Sequence, residues 1–238
     1  MIKIELHSHP IGGSTCADGN TELAVKKFVD GGYGGVVCAT HYSNYCYESY
    51  PGKTHKEKID FFFKVYDDFA RVANKNGLKT FFAAEVRCVP TKTEYAIIGF
   101  DRKFLYDNPP LFECSQQELF EIAEKNGFFM FQTHPFRTDV IAGDPKYMHG
   151  AEFFNGHYHH NNHNADAQKF CIDNNLIKVA GTDYHHDDQP LTAGIMIPET
   201  INTEKELADY LKKGEFEIVA DTAAYKKAFE EHLHKKGK

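Results

Sequence analysis

Ile2-Lys3-Ile4-Glu5-Leu6-His7-Ser8-His9 opens the chain, and its reading decides the architecture. Ile2–Leu6 reads as a short strand, and residues two apart on a strand share a face. His7 and His9 therefore project together where the strand meets a loop, a placement from which two imidazoles can share one metal ion. The pattern recurs. Later strand-like runs end in Thr40-His41, Glu85, Asp101, Thr133-His134 and Asp183-Tyr184-His185.

Working outward, further apolar runs at Gly35–Ala39, Thr80–Val86, Ala96–Phe100, Phe128–Gln132, Ala151–Phe154, Ile177–Ala180, Gly194–Ile197 and Phe216–Val219 also read as strands. Helical patterns separate most of them. Thr21–Asp30 is amphipathic and stops at Gly31-Gly32. Lys56–Lys75 carries Phe62, Val65, Phe69 and Val72 at spacings of three and four. Ser115-Gln-Gln-Glu118 and Thr203-Glu-Lys-Glu206 are capping boxes that open helices ending near Gly127 and Gly214. Ala165–Asn174 and a segment from about Thr222 complete the set. This alternation predicts an α/β fold on a parallel sheet. A barrel is preferred to an open sheet, because chemistry-bearing residues follow nearly every strand. A barrel gathers all strand ends at one rim, whereas an open sheet concentrates its chemistry at one or two switch points.

The 238 residues suffice for one core, so residues 1–238 are expected to form one domain. No run approaches the roughly 18 apolar residues of a membrane span, and no basic-then-apolar leader precedes the first strand. No membrane is expected, and the cytoplasm is the expected location. The six cysteines show no C-x-x-C spacing and read as reduced thiols rather than a cysteine zinc site. A net charge of −7 with no basic stripe argues against long nucleic acid as a partner. Oligomeric state is not readable.

The strand-end residues have rival readings when taken singly. Asp18-Gly19 is also a turn, His41 also a core histidine, and Asp101 also a surface-loop residue. Glu85 closes an apolar strand and needs a partner, which either a metal or Arg87 would supply. His134 precedes Pro135, which biases its backbone away from helix. Together these His and carboxylate side chains suit Zn²⁺, Mn²⁺ or Fe²⁺. His7, His9, Asp18, His41, Glu85, Asp101, His134, Asp183 and His185 exceed what one ion can use, so two or three ions sharing a carboxylate are expected.

This combination resembles the polymerase-and-histidinol-phosphatase (PHP) family over roughly residues 2–197. Glu5-Leu-His-Ser-His9, Ala17-Asp18-Gly19, Ala39-Thr-His41, Ala84-Glu85-Val86, Gln132-Thr-His-Pro135 and Gly181-Thr-Asp-Tyr-His185 are similar to its motifs. Thr40 stands where an aspartate is common. The resemblance implies a distorted (β/α)7 TIM-like barrel with up to three metals at the rim. His7, His9, Glu85 and Asp183 would hold the first metal, and Glu85 would bridge to a second bound by His134. Asp18, His41 and His185 would hold a third. Asp101 stands where the second site usually takes a further histidine.

Arg87 and Arg137 follow proposed ligands by two and three residues, and arginine is the natural fork for phosphate oxygens. Arg137 is the expected phosphate clamp, with a rim salt bridge as the alternative. Asn155 and His157 begin a His-rich loop and are expected to face the substrate. The expected activity is metal-dependent hydrolysis of a small phosphomonoester, with Glu85, Asp183 and Arg137 central to catalysis. The water would lose its proton near neutral pH through the clustered ions. Two rivals stand beside it: an amidohydrolase-type enzyme attacking a carbonyl, and a non-catalytic metal-binding regulatory protein.

Overall fold

Strand β1 (Ile2–Ser8) does two jobs in the computed structural model, which describes residues 1–14, 16–88 and 91–237. After it come α1 (Thr21–Asp30), β2 (Tyr33–Tyr42), α2 (Asn44–Ser49), α3 (His55–Lys75), β3 (Lys79–Arg87), β4 (Glu94–Ile98), α4 (Arg102–Asp107) and α5 (Gln116–Asn126). The second half comprises β5 (Phe129–Gln132), β6 (Gly150–Asn155), α6 (Asn164–Asp173), β7 (Ile177–Gly181), β8 (Ala193–Ile197), α7 (Glu204–Leu211), β9 (Ile218–Ala220) and α8 (Thr222–Lys236). The strands lie in the order β7-β6-β5-β4-β3-β2-β1-β8-β9. The start of β1 pairs antiparallel with β8, matching Ile2 to Ile197 and Ile4 to Ile195. Its end turns instead to the chain leaving β7, through a bridge between Ser8 and Tyr184. That bridge nearly closes β1–β7 into a distorted TIM-like barrel, and β8 and β9 run off it as an antiparallel extension.

The sheet is not wholly parallel, which corrects the sequence expectation. β4 is antiparallel to both β3 and β5. The cause is the link between β3 and β4. Residues 88–93 make six positions, and a parallel crossover needs a dozen or more. β4 also begins two residues earlier than expected, at Glu94.

Two apolar layers hold the sheet. Inside, Ile4, Leu6, Val37, Ala39, Phe81, Ala83, Phe129 and Phe131 pack together, and Leu207, Ala208 and Leu211 of α7 close the end where β3 and β5 begin. Outside, α1 and α3 lay Phe28, Phe62, Phe63 and Phe69 against the alternate residues Val36, Cys38 and Phe82. Full burial of each such side chain stabilises the fold by about 1.5–3 kcal/mol. Capping boxes at Thr54/Glu57, Ser115/Glu118 and Thr203/Glu206 start α3, α5 and α7. No helix among the described residues is long and apolar enough to cross a membrane.

Candidate metal centre

Strand alternation delivers the polar side chains to the open rim. Val37 and Ala39 of β2 face the interior, and His41 is next in that row. Phe81 and Ala83 of β3 lead likewise to Glu85. In β1 the row Ile4, Leu6 would continue to Ser8. However, Glu5 pairs with Val36 and Ser8 with Cys38, three steps against two. The extra residue is a bulge that re-aims the strand, and it turns His7 and His9 into the rim. His134 and Asp183 hold φ of 30° and 54°. Non-glycine residues adopt these values at a cost of about 1–3 kcal/mol each, and such strain concentrates at functional sites.

Six of the expected residues form one cluster around Glu85, all buried except the half-buried His41. His7 Nε2 lies 3.2 Å from Glu85 Oε1 and 3.4 Å from Asp183 Oδ1. His9 Nε2 lies 3.0 Å from His7 Nε2 and 3.1 Å from Asp183 Oδ1. His134 Nε2 is 3.2 Å from Glu85 Oε1, and His41 Nδ1 is 2.7 Å from Glu85 Oε2. Tetrahedral ligands at metal–nitrogen distances of about 2.05 Å stand roughly 3.3 Å apart, so this spacing suits a shared ion. Glu85 Oε2, Asp183 Oδ1, His9 Nδ1 and His134 Nδ1 are buried and accept or donate no hydrogen bond of proper geometry. Buried polar atoms normally find a partner. The donor set therefore fits one or more divalent cations.

The charges point the same way. Burial opposes charge on His7, yet Asp183, Glu152 and Glu85 hold its pKa well above the usual imidazole range. Burial works against ionised Glu85 too, but His7 and His41 keep its carboxyl well below the ordinary value. His9 is pushed the other way, by burial and by the neighbouring His41 and His185. Glu5, buried behind the cluster, is raised to about 8 by burial, against hydrogen bonds from Thr182 and His7. Protons on imidazoles thus balance the buried carboxylates, a task that divalent cations perform with more charge.

A cavity of about 590 Å³ opens over the cluster. Its walls include Cys16, His41, Arg87, Arg137, His157 and His185. Arg87 Nε lies 2.8 Å from Glu94 Oε1, and Arg137 reaches Glu94 Oε2 at 3.1 Å. Glu94 Oε2 in turn stands 3.5 Å from His134 Nε2.

Comparison with known proteins extends this picture. No protein-family model matches the chain, nor does any curated protein sequence. Solved structures do resemble it. A two-domain protein from Bacteroides vulgatus, containing a predicted PHP-like metal-dependent phosphoesterase, aligns at a TM-score of 0.61 and 19% identity, over 97% of this chain and 69% of that one. The chain has a PHP-like fold. The lesion-specific endonuclease PfuEndoQ from Pyrococcus furiosus shares it at a TM-score of 0.57 and 12% identity, over 91% of this chain and 57% of that one. An amidohydrolase from Chromobacterium violaceum aligns at 0.54 and 11% identity, over 92% and 99%.

The PHP-like barrel does not gather every expected residue. Asp101 follows the carboxyl end of β4, whose reversed direction sends it to the opposite end of the barrel, where Ile98 pairs with Phe129. There it caps α4 by accepting a hydrogen bond from Phe104 N–H at 2.9 Å. Glu94, at the other end of the same strand, occupies the rim instead. Asp18 is 81% exposed and pairs with His186 rather than with His41 or His185. Asn155 does not face the cavity; its amide donates to Glu152 Oε2 at 2.8 Å and to Asp183 Oδ2 at 3.3 Å. Arg87 and Arg137 share Glu94, not Glu85, as their anionic partner. His157 does line the cavity.

Three residues of the site were not singled out from sequence. Glu152 receives His7 Nδ1 at 2.8 Å and the His134 N–H at 2.6 Å. This holds one proton of His7 on Nδ1, so Nε2 is the nitrogen that a cation would take in exchange for its proton. A carboxylate inside the apolar run Ala151–Phe154 carried the same signal as Glu85. Glu94 was a carboxylate at the mouth of an apolar run. Cys16, its Sγ 3.2 Å from His41 Nε2, gave no local signal and corrects the expectation that cysteine stands outside the site. Burial works against its ionisation, but hydrogen bonds from His185 and His41 lower its thiol to about 5.

Proposed function

We propose that this chain is a metal-dependent phosphoesterase acting on a small phosphomonoester. The observation that carries the reading is the pairing of two guanidinium groups, Arg87 and Arg137, on the cavity wall with a buried imidazole–carboxylate cluster. His7, His9, Glu85 and Asp183 would hold one divalent ion. Glu85, His134 and Glu94 would hold a second, and His41 and His185 contribute to a third. Zinc, manganese and iron all suit this donor set. Such ions, when bound, supply Lewis acidity and a water that ionises near neutral pH.

The chain's own residues do the remaining work. Arg87 and Arg137 each keep N–H groups beyond those given to Glu94, and guanidinium matches phosphoryl oxygens in fork geometry. They offset the negative charge that grows as the ester bond breaks. Glu152 and Asn155 fix His7 and Asp183 in place. Glu5 ties the ends of β1 and β7 together by accepting the His7 and Thr182 N–H groups at 2.8 Å each. The cavity volume suits one small molecule rather than a polymer.

Phosphate release from a panel of phosphomonoesters, including a chromogenic one, tests the reading on protein loaded with zinc, manganese or iron. Turnover is expected, and it falls roughly 10³-fold in Asp183→Asn and His134→Gln. Activity within tenfold of wild type in both variants contradicts the proposal. A second reading, attack on a carbonyl, draws on the likeness to the C. violaceum amidohydrolase. Cleavage of amides or lactams without phosphoesters in the same panel would favour it. Cleavage of oligonucleotides alone would favour a substrate like that of the endonuclease. Metal-dependent stabilisation with no cleavage of any substrate would favour a regulatory protein.

A further inference from the structure

The loop between β1 and α1 brings a thiol into the rim, and its surroundings are those of a metal ligand. Cys16 Sγ stands 3.2 Å from His41 Nε2 and 3.0 Å from Ser14 Oγ, and it lines the same cavity wall as His185. Both imidazoles set Nδ1 against an inner carboxylate residue. His41 Nδ1 faces Glu85 Oε2 at 2.7 Å, and His185 Nδ1 faces Asp183, at 2.9 Å from its carbonyl and 3.2 Å from its carboxylate. This is the carboxylate–histidine arrangement that orients metal-binding imidazoles. It turns Nε2 of His41 toward Cys16 and the cavity.

A second observation is independent of the thiol. His9 is 3% exposed, its ring lies 4.1 Å from those of both His41 and His185, and its Nδ1 has no hydrogen-bond partner. His9, His41 and His185 each offer a ring nitrogen, all within 4.8 Å of one another. The carboxylate expected to complete this position, Asp18, is instead solvent-exposed and engaged with His186.

We infer that Cys16 takes the place expected of Asp18 and supplies a sulfur ligand to a divalent ion held with His41 and His185. The inference rests on the metal-centre reading and deepens it by assigning the ion's chemistry. A ligand sulfur and nitrogen at about 2.3 Å and 2.05 Å from one ion stand roughly 3.5 Å apart, a few tenths of an ångström beyond the spacing found. On binding, the S–H bond breaks, its proton passes to solvent and a sulfur–metal bond forms, with no change of oxidation state. A thiolate with imidazoles selects Zn²⁺, Fe²⁺ or Co²⁺ over Mn²⁺ or Mg²⁺, which prefer oxygen. The other cysteines do not confuse the test. Cys38, Cys46, Cys88 and Cys171 are buried, and Cys114 lies outside the cavity wall.

The experiment titrates the metal-free full chain with Co²⁺ and reads its absorption, with no substrate present. Wild type is expected to show a near-ultraviolet thiolate-to-cobalt charge-transfer band in addition to the visible ligand-field bands. Cys16→Ser should lose the charge-transfer band and bind one equivalent at least about tenfold more weakly. Its retained ligand-field bands from the inner ligands would show that it is folded. Cys16→Asp should recover the equivalent without the band and shift its preference toward Mn²⁺. Full cobalt binding by wild type with no charge-transfer band overturns the sulfur ligand while leaving the metal centre intact. So does an unchanged band in Cys16→Ser. Absence of any cobalt binding overturns both readings.

Discussion

Toward the ends where β3 and β5 begin, the barrel holds Phe81 and Phe129 with Ile4 and Val37, closed off by Leu207 and Leu211 of α7. A few residues further along the same strands it holds His41, Glu85, Thr133 and Asp183. Both ends are buried, but only the apolar end is internally satisfied. Its side chains need nothing beyond one another, since dispersion and water exclusion are supplied by close packing. The rim keeps buried lone pairs on Glu85, Asp183, His9 and His134 without hydrogen bonds, and two strained backbones at His134 and Asp183. One end carries the fold, and the other leaves buried polar atoms open to a cation.

This contrast is most sharply broken or upheld by a pair of substitutions measured with and without metal. Phe131→Ala should cost about 3–5 kcal/mol in denaturant unfolding in both states, because it empties space in the interior layer. Asp183→Asn should remove only the metal-dependent increment, about 4 kcal/mol with free ion near 1,000 times its Kd. Equal responses of the two variants to metal would erase the distinction.

Next in size, Glu152→Gln acts on the rim from behind, through His7 Nδ1 and the His134 N–H. Metal affinity measured by competition with a chelator should fall about 10–100-fold with little change in the metal-free unfolding midpoint. Arg137→Ala probes the cavity wall rather than the cluster. Its kcat/KM on a phosphomonoester should fall about 10²-fold while metal content stays at the wild-type level. Loss of metal in this variant would assign Arg137 to the integrity of the centre.

The smallest effect concerns the His-rich loop. Burial first, and the charge of Arg137 second, lower the His160 imidazole to about 4. A base whose folded pKa lies below its unfolded value, near 6.5, stabilises the fold above that value, and the contribution is lost as pH falls toward 4. An NMR titration should find the His160 ring neutral at pH 5.5, and Arg137→Ala should move its midpoint upward. A midpoint near 6.5 in both proteins would remove Arg137 from its surroundings.

Much of this was legible in the chain. Helix starts at Ser115 and Thr203 follow from local hydrogen-bonding patterns, and the strand-ending residues His7, His9, His41, Glu85, His134, Asp183 and His185 come together as their spacing suggests. Misplaced Asp101 traces to one misread quantity, the six-residue link that forces β4 to run backwards and exchanges Asp101 for Glu94 at the rim. Glu152 was readable by the argument applied to Glu85, a carboxylate within an apolar strand. The pairing of Asp18 with His186, the approach of Cys16 to His41 and the inward commitment of Asn155 depend on how loops far apart in sequence settle against one another. No local pattern encodes that.

Crystals grown with zinc or manganese, and data collected on either side of the metal's absorption edge, examine the account at its root. Anomalous peaks are predicted within bonding distance of His7, His9, Glu85, His134 and Asp183. A map without such peaks, in which these side chains close on each other through hydrogen bonds alone, would contradict it.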